Sequence, residues 1–372
     1  MALCNIQFIC ITIRTLAINT CQIGGFISVF VYSMYLLLYN ERQIGLTKWG
    51  RKVKPKIIVY KKVDKKVLEF ISETCKVIYF EKLDSESYPV FLEELKDAQG
   101  LLGSGLKVDK ELLDQAPHLK IVCNIAVGYD NLDLTALTKS GIMATNTPDV
   151  LNDTVADTIL GLILSTARRI PELDQWVKNG QWESGLEEKW FGVDVHHKVL
   201  GIIGMGGIGS AVAKRAHFGF DMEILYHNRS RNEGAEETYG ATYCSMEELL
   251  RKSDYVCLMT PLTPETVNLI GKREFELMKE SAIFINASRG KTVDEEALIE
   301  ALQNGRIYGA GLDVFVQEPV QKENPLLSMK NVVTLPHIGS ATYETRYKMA
   351  MTAATNLVTG LQGENPPNLI KQ

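Results

Sequence analysis

Val199-Leu200-Gly201-Ile202-Ile203-Gly204-Met205-Gly206-Gly207-Ile208-Gly209 is the stretch whose reading decides the fold. Its apolar run has the length of a buried parallel strand and ends in Gly204-x-Gly206-x-x-Gly209, after which Ser210-Ala211-Val212-Ala213-Lys214-Arg215 reads as helix. In such a turn the first glycine allows the tight bend, the second lets backbone approach a pyrophosphate, and the third lets helix pack on strand. The helix N-terminus adds free N–H groups and the positive end of a dipole. Strand, turn and helix in this order predict a dinucleotide site, with Gly204, Met205, Gly206, Gly207, Ile208 and Gly209 around the phosphates.

The end of the next strand, residues 222–227, decides which dinucleotide. An NAD site carries Asp or Glu about 20 residues past the glycines, where it accepts hydrogen bonds from the ribose hydroxyls. Here the turn is Asn228-Arg229-Ser230-Arg231. Two guanidinium groups flanking a hydroxyl suit a 2′-phosphate, so NADP(H) is expected as the preferred cofactor and NAD(H) as the second option.

At 372 residues, with 45% hydrophobic and 23% charged residues, the composition is that of a globular protein of two domains. A net charge of -5 gives no support for a nucleic-acid partner. Seven cysteines without paired spacing point to reduced, mostly buried thiols, hence to no disulfide frame, no metal site and a cytoplasmic location. Residues 1–52 do not match the rest. Residues 23–39 form a charge-free run just long enough to cross a bilayer, with Arg42, Lys48, Arg51, Lys52 and Lys54 behind it. The main expectation is a translation start nearer Leu46 or Val53, which leaves this extension outside the native protein; an N-terminal anchor and an extra core helix are the alternatives.

From Lys54 onward strand and helix alternate. Strands are expected at 56–60, 76–80, 101–102, 120–124 and 142–146, then at 199–203, 224–227, 255–259, 283–286, 308–314 and 332–335. The fold class is therefore α/β, with two doubly wound parallel sheets: a flavodoxin-like substrate domain and a six-stranded Rossmann dinucleotide domain. Between them a long apolar helix opens at Asn152-Asp153-Thr154, which supplies N-cap residue types, and breaks near Pro171. A last helix at 343–361 has no strand after it and is expected to return to the first sheet. The resulting division is 53–151 with 338–372 for the substrate domain and 152–337 for the cofactor domain.

Three polar residues follow strand ends in the second half: Arg289 in Asn286-Ala287-Ser288-Arg289-Gly290, Glu318 after Asp313-Val314-Phe315, and His337 in Leu335-Pro336-His337-Ile338-Gly339. Each alone reads as a turn cation, a solvated acid or a core histidine. Together they match what reduction of a 2-keto acid needs: a cation for carboxylate and carbonyl, a proton donor for the developing alkoxide, and a carboxylate that favours the imidazolium.

With these motifs in order, the chain from about Lys54 resembles the D-isomer-specific 2-hydroxyacid dehydrogenase family, in particular its glyoxylate/hydroxypyruvate reductase and 2-ketogluconate reductase branch. The resemblance implies NADPH-dependent reduction of a small 2-keto acid to the D-2-hydroxy acid, with Arg289, Glu318 and His337 catalytic. It puts Val127 and Gly128 in a substrate-carboxylate loop and Leu102 and Gly103 in a second strip lining the site. It assigns cofactor contacts to Thr260, Pro261, Asn286, Ala287, Ser288, Asp313 and Gly339, with Asp313 orienting the nicotinamide amide. A homodimer formed through the cofactor domain is also implied. Two departures stand out: relatives often carry arginine or another polar residue where Gly207 stands and histidine where Met259 stands. The alternative from another class is a dinucleotide-sensing scaffold of the same fold without turnover.

Overall fold

The computed structural model describes residues 54–371, so the expectations for the N-terminal extension, including the apolar run at 23–39, lie outside the described residues. Five short strands open the described chain: β1 (Lys56–Val59), β2 (Lys76–Tyr79), β3 (Gly100–Gly103), β4 (Ile121–Asn124) and β5 (Met143–Thr145). They pair in parallel in the order β2-β1-β3-β4-β5. This is the flavodoxin-like order, and the near-continuous apolar run of β1 and the full burial of β3 and β4 follow from helices covering both faces.

The helix Tyr343–Leu361 packs across β3, β4 and the helix Lys65–Thr74. Close approach is achieved with glycine: a Cβ on Gly100 would lie 2.6 Å from Leu357, and one on Gly360 2.5 Å from Ile121. Fully buried Asn356 then ties the chain end to β5, donating to the Asn146 carbonyl (3.2 Å) and accepting from the Asn368 amide (3.3 Å). An isolated antiparallel bridge, Thr145 to Leu369, follows.

The second sheet comprises β6 (Val199–Ile203), β7 (Glu223–His227), β8 (Thr242–Tyr243), β9 (Tyr255–Leu258), β10 (Ile283–Asn286), β11 (Gly309–Leu312) and β12 (Val332–Thr334). All pairs are parallel, in the order β12-β11-β10-β9-β6-β7-β8. Strand order reverses between β6 and β9, the crevice in which ligands of such sheets bind. Seven strands stand where the sequence pattern gave six. The extra one, β8, has two exposed residues and leaves no periodicity to read.

The interdomain helix spans Asn152–Ala167 and buries Val155, Ile159, Leu162 and Ile163 against the helix Gly207–Phe220, β10 and β11. Its start corrects the expected cap. Leu151 occupies the N-cap position without a side-chain bond, and Asn152 lies already in the first turn. The break also falls earlier than Pro171: Arg169 is left-handed (φ 56°), and Pro171 sits in the first turn of the next helix, Ile170–Lys178, where its missing N–H costs nothing. Arg215 bonds Asp153 (3.0 Å) and Asp157 (2.6 Å), fastening the two long helices along their exposed edge.

Candidate active site

The glycine turn stands at the carboxyl end of β6. Gly204 has φ 105° and no room for a side chain, since a Cβ would lie 2.8 Å from the Met259 carbonyl. A Cβ on Gly209 would meet the Gly204 oxygen at 2.3 Å, which is the close helix–strand packing expected of the third glycine. Gly206 is different: nothing lies within 4 Å of where its side chain would be. The helix Gly207–Phe220 has no side-chain cap, and the Thr260 hydroxyl across the crevice is buried without a hydrogen-bond partner. Open space, free helix N–H groups and an orphaned hydroxyl together fit a dinucleotide pyrophosphate.

The turn after β7 is bound into the same cradle. Asn228 Oδ1 accepts the Met205 N–H (3.2 Å), and Asn232 donates to the Met205 carbonyl (2.9 Å). Of the two guanidinium groups, Arg231 is held by Glu236 through Nε (3.0 Å) and Nη2 (2.5 Å). The bonds from Arg231, and after them the Tyr226 hydroxyl, keep the Glu236 carboxyl below its ordinary value. Arg229 and Ser230 are exposed, and Arg229 has no ion pair among the described residues.

Arg289 follows β10 on a loop that its neighbours shape. Buried Asn286 accepts both the Ser288 N–H (3.0 Å) and its hydroxyl (2.9 Å), and donates to the Arg289 carbonyl (3.0 Å). Asn286 and Ser288 are therefore turned inward, and Ala287 is the half-buried member of that trio. The guanidinium donates through Nε to Asp130 (2.9 Å) and through Nη1 to the Ser288 carbonyl (2.8 Å). Its third nitrogen presses on the Val127–Gly128 loop so closely that a Cβ on Gly128 would fall 1.7 Å from Nη2. That loop is itself fixed by Asn124 on the Gly128 carbonyl (2.8 Å) and Asn146 on the Val127 carbonyl (2.8 Å). Leu102 and Gly103, the expected second strip, lie buried in β3, and the chain reaches the surface only in the next two residues, Ser104 and Gly105.

His337 follows β12 in a left-handed turn (φ 55°), a conformation that costs a non-glycine residue roughly 1–2 kcal/mol. Asp313, after β11, holds that turn in place. It is 1% exposed, and its two oxygens accept the Ile338 N–H (2.7 Å) and the Gly339 N–H (2.8 Å). Burial pushes the Asp313 carboxyl up, and these two bonds and the facing His337 offset part of the rise. The carboxylate expected to orient the nicotinamide amide thus already grips the peptide next to His337.

The ring of His337 donates through Nδ1 to Glu318 Oε2 at 2.7 Å, while Oε1 accepts the Phe315 N–H (3.1 Å). Burial pushes the Glu318 carboxyl up, but the bond from His337, the Phe315 amide and the charges of His337 and Arg289 outweigh it and bring it below its ordinary value. A cavity of about 490 Å³ opens against the pair, walled by Phe315, Val320, Leu327, Leu335 and Pro336. Arg289, Glu318 and His337 therefore share one electrostatic neighbourhood. Among the described residues no cluster could hold a metal ion, and no helix is long and apolar enough to cross a membrane.

Asp130 stands in the same stretch as the Val127–Gly128 loop, but the sequence pattern carried no signal for its pairing with Arg289, 159 positions away. The four described cysteines, Cys75, Cys123, Cys244 and Cys257, are free and buried.

Comparison with known proteins matches residues 160–339 to the NAD-binding domain of D-isomer specific 2-hydroxyacid dehydrogenases. Glyoxylate/hydroxypyruvate reductase B of Enterobacter sp. (strain 638) is 52% identical over 318 residues, 86% of this chain and 98% of that protein. Among solved structures, the NADPH-dependent glyoxylate/hydroxypyruvate reductase of Sinorhizobium meliloti, in complex with NADP and malonate, is 34% identical with TM-score 0.75, covering 85% of this chain and 97% of the other. A glyoxylate reductase from Paecilomyes thermophila is 30% identical with TM-score 0.77, covering 85% and 98%. The chain belongs to the D-isomer specific 2-hydroxyacid dehydrogenase family, in its glyoxylate/hydroxypyruvate reductase branch.

Proposed function

We propose that this enzyme uses NADPH, and NADH less well, to reduce glyoxylate, hydroxypyruvate or 2-ketogluconate to the 2-hydroxy acid, of D configuration where the product is chiral. The observation that carries this reading is the 2.7 Å pair of His337 and Glu318, whose carboxylate is within reach of the charge of an arginine held against the Gly128 loop. When bound, the cofactor supplies the hydride that adds to C2. Arg289 binds the substrate carboxylate and polarises the carbonyl, helped by backbone N–H groups at Val127 and Gly128. His337 donates the proton that the nascent alkoxide needs, and Glu318 stabilises the imidazolium. Gly204–Gly209, Thr260, Pro261, Ala287 and Gly339 line the cofactor side. Residues 53–151 with 338–372 serve as the substrate domain and 152–337 as the cofactor domain. The free thiols favour a cytoplasmic enzyme, and the family likeness favours a homodimer.

The test is a kinetic panel of the three acids with NADPH and NADH at equal concentration, followed by absorbance. Consumption of NADPH with at least one acid, faster than of NADH, is expected; no consumption with any acid overturns the reading.

NADPH preference rests on Arg229, because Arg231 is engaged by Glu236. Arg229→Ala is expected to raise the NADPH KM about tenfold or more and leave that of NADH within about twofold, since a charge-assisted bond to the 2′-phosphate is lost. Equal effects on both cofactors would remove Arg229 from this role.

Glu318 carries a pH prediction. Its carboxyl is depressed, so the carboxylate that supports the imidazolium is present from below the ordinary glutamate range upward, and is lost only as pH falls through that lowered value. Glu318→Gln removes it at every pH. The activity limb for reduction is then expected to move to lower pH. An unmoved limb means the pair does not set it.

A further inference from the structure

Gly207, the first residue of the helix after the glycine turn, has a neighbour in the place of its missing side chain. A Cβ at this position would lie 2.5 Å from Nδ2 of Asn152, 3.1 Å from its Cγ and 3.2 Å from its Oδ1. The carboxamide of Asn152 thus rests directly on the first turn of the helix whose free N–H groups face the crevice. Its orientation is fixed from behind. Nδ2 donates one hydrogen to Asp149 Oδ1 (3.2 Å), and because a carboxylate only accepts, the nitrogen end is the one on that side. Its second N–H has no acceptor among the described residues. Asn152 also sits on the interdomain helix, which one turn later touches the catalytic turn: Val155 is 3.5 Å from where a Cβ on Gly339 would be, and the Thr158 hydroxyl donates to the Gly339 carbonyl at 3.4 Å.

We propose that Asn152 is a pyrophosphate ligand, its second Nδ2–H donating to a dinucleotide phosphate oxygen seated at the start of the helix Gly207–Phe220. The proposal rests on the dinucleotide reading of the crevice. It explains the departure at Gly207 in two ways: residue 207 needs no side chain because Asn152 supplies the contact, and it tolerates none because Asn152 occupies the space. It also makes the interdomain helix a part of the cofactor site, so cofactor binding grips the element that carries Val155 and Thr158 to the His337 turn.

The test measures dissociation constants of the intact chain for NADPH, for ADP-ribose, which retains the pyrophosphate, and for 2′-AMP, which lacks it. Asn152→Ala and Asn152→Ser, the latter with a donor too short to reach, are each expected to weaken NADPH and ADP-ribose about tenfold, the loss of one bond to a charged group, and to leave 2′-AMP within twofold. Gly207→Ala should cost the same by displacing the carboxamide, and should cost nothing further once residue 152 is alanine. Unchanged NADPH and ADP-ribose binding in the Asn152 variants overturns the proposal, as does an equal loss for 2′-AMP or full additivity with Gly207→Ala. A wild-type chain that binds neither NADPH nor ADP-ribose is a different result, and it overturns the dinucleotide reading along with this inference.

Discussion

His337→Gln is expected to lower kcat/KM for reduction of glyoxylate or hydroxypyruvate by about 10³-fold while leaving the NADPH dissociation constant within about twofold. Proton donation by a positioned side chain contributes roughly 10²–10⁴-fold, and glutamine keeps a hydrogen bond to Glu318 but has no proton to give. The substitution separates chemistry from folding because the backbone problem at this position is already solved. His337 sits at φ 55° whichever non-glycine side chain it carries, and the turn is held by Asp313 on the Ile338 and Gly339 amides rather than by the ring. The melting temperature should therefore stay within a few degrees of wild type. A loss below tenfold would mean that the proton comes from water and would remove His337 from the mechanism.

The parts of this site that were legible beforehand are those with local cause. Gly204-x-Gly206-x-x-Gly209 could be read because each glycine answers a steric demand within its own turn, and φ 105° at Gly204 and the 2.3 Å approach at Gly209 are those demands met. Strands β6, β9 and β10 were legible because burial on both faces leaves unbroken apolar runs. What failed was set by distance or by competition. Asn152 has a good capping side chain, yet Asp149 draws its amide and Leu151 takes the cap position. Arg231 looked as free as Arg229, but Glu236 in the first turn of the next helix captures it, and that acid, five residues on, was a signal available in the sequence. The Asp130 contact to Arg289 depends on how two sheets meet, and the second task of Asp313 on the loops after two neighbouring strands, for which neither period nor spacing carries information. Leu102 followed its strand into the core instead of the cleft.

Arg289 bears the other large effect, and its geometry says why lysine cannot replace it. Three of its guanidinium nitrogens have separate tasks: Nε holds Asp130, Nη1 holds the Ser288 carbonyl, and Nη2 lies against Gly128, where the proposed substrate carboxylate binds. A lysine ammonium is a single compact charge without the planar fork that offers separate donors to Asp130, to the Ser288 carbonyl and to a substrate carboxylate beside Gly128. Arg289→Ala and Arg289→Lys are therefore both expected to lower kcat/KM by about 10²–10³-fold, the range for removing a preorganised donor to developing negative charge, with KM for the keto acid rising and cofactor affinity unchanged. Asp130→Asn should cost about tenfold or less, because it loosens the fork without removing it. Gly128→Ala gives an independent check from the other side of the contact: a methyl group 1.7 Å from Nη2 must push the guanidinium away, so it should raise KM in the same direction with residue 289 still arginine. Arg289→Lys retaining more than a tenth of wild-type kcat/KM would show that charge alone suffices at this position, and the fork would then have no part in catalysis.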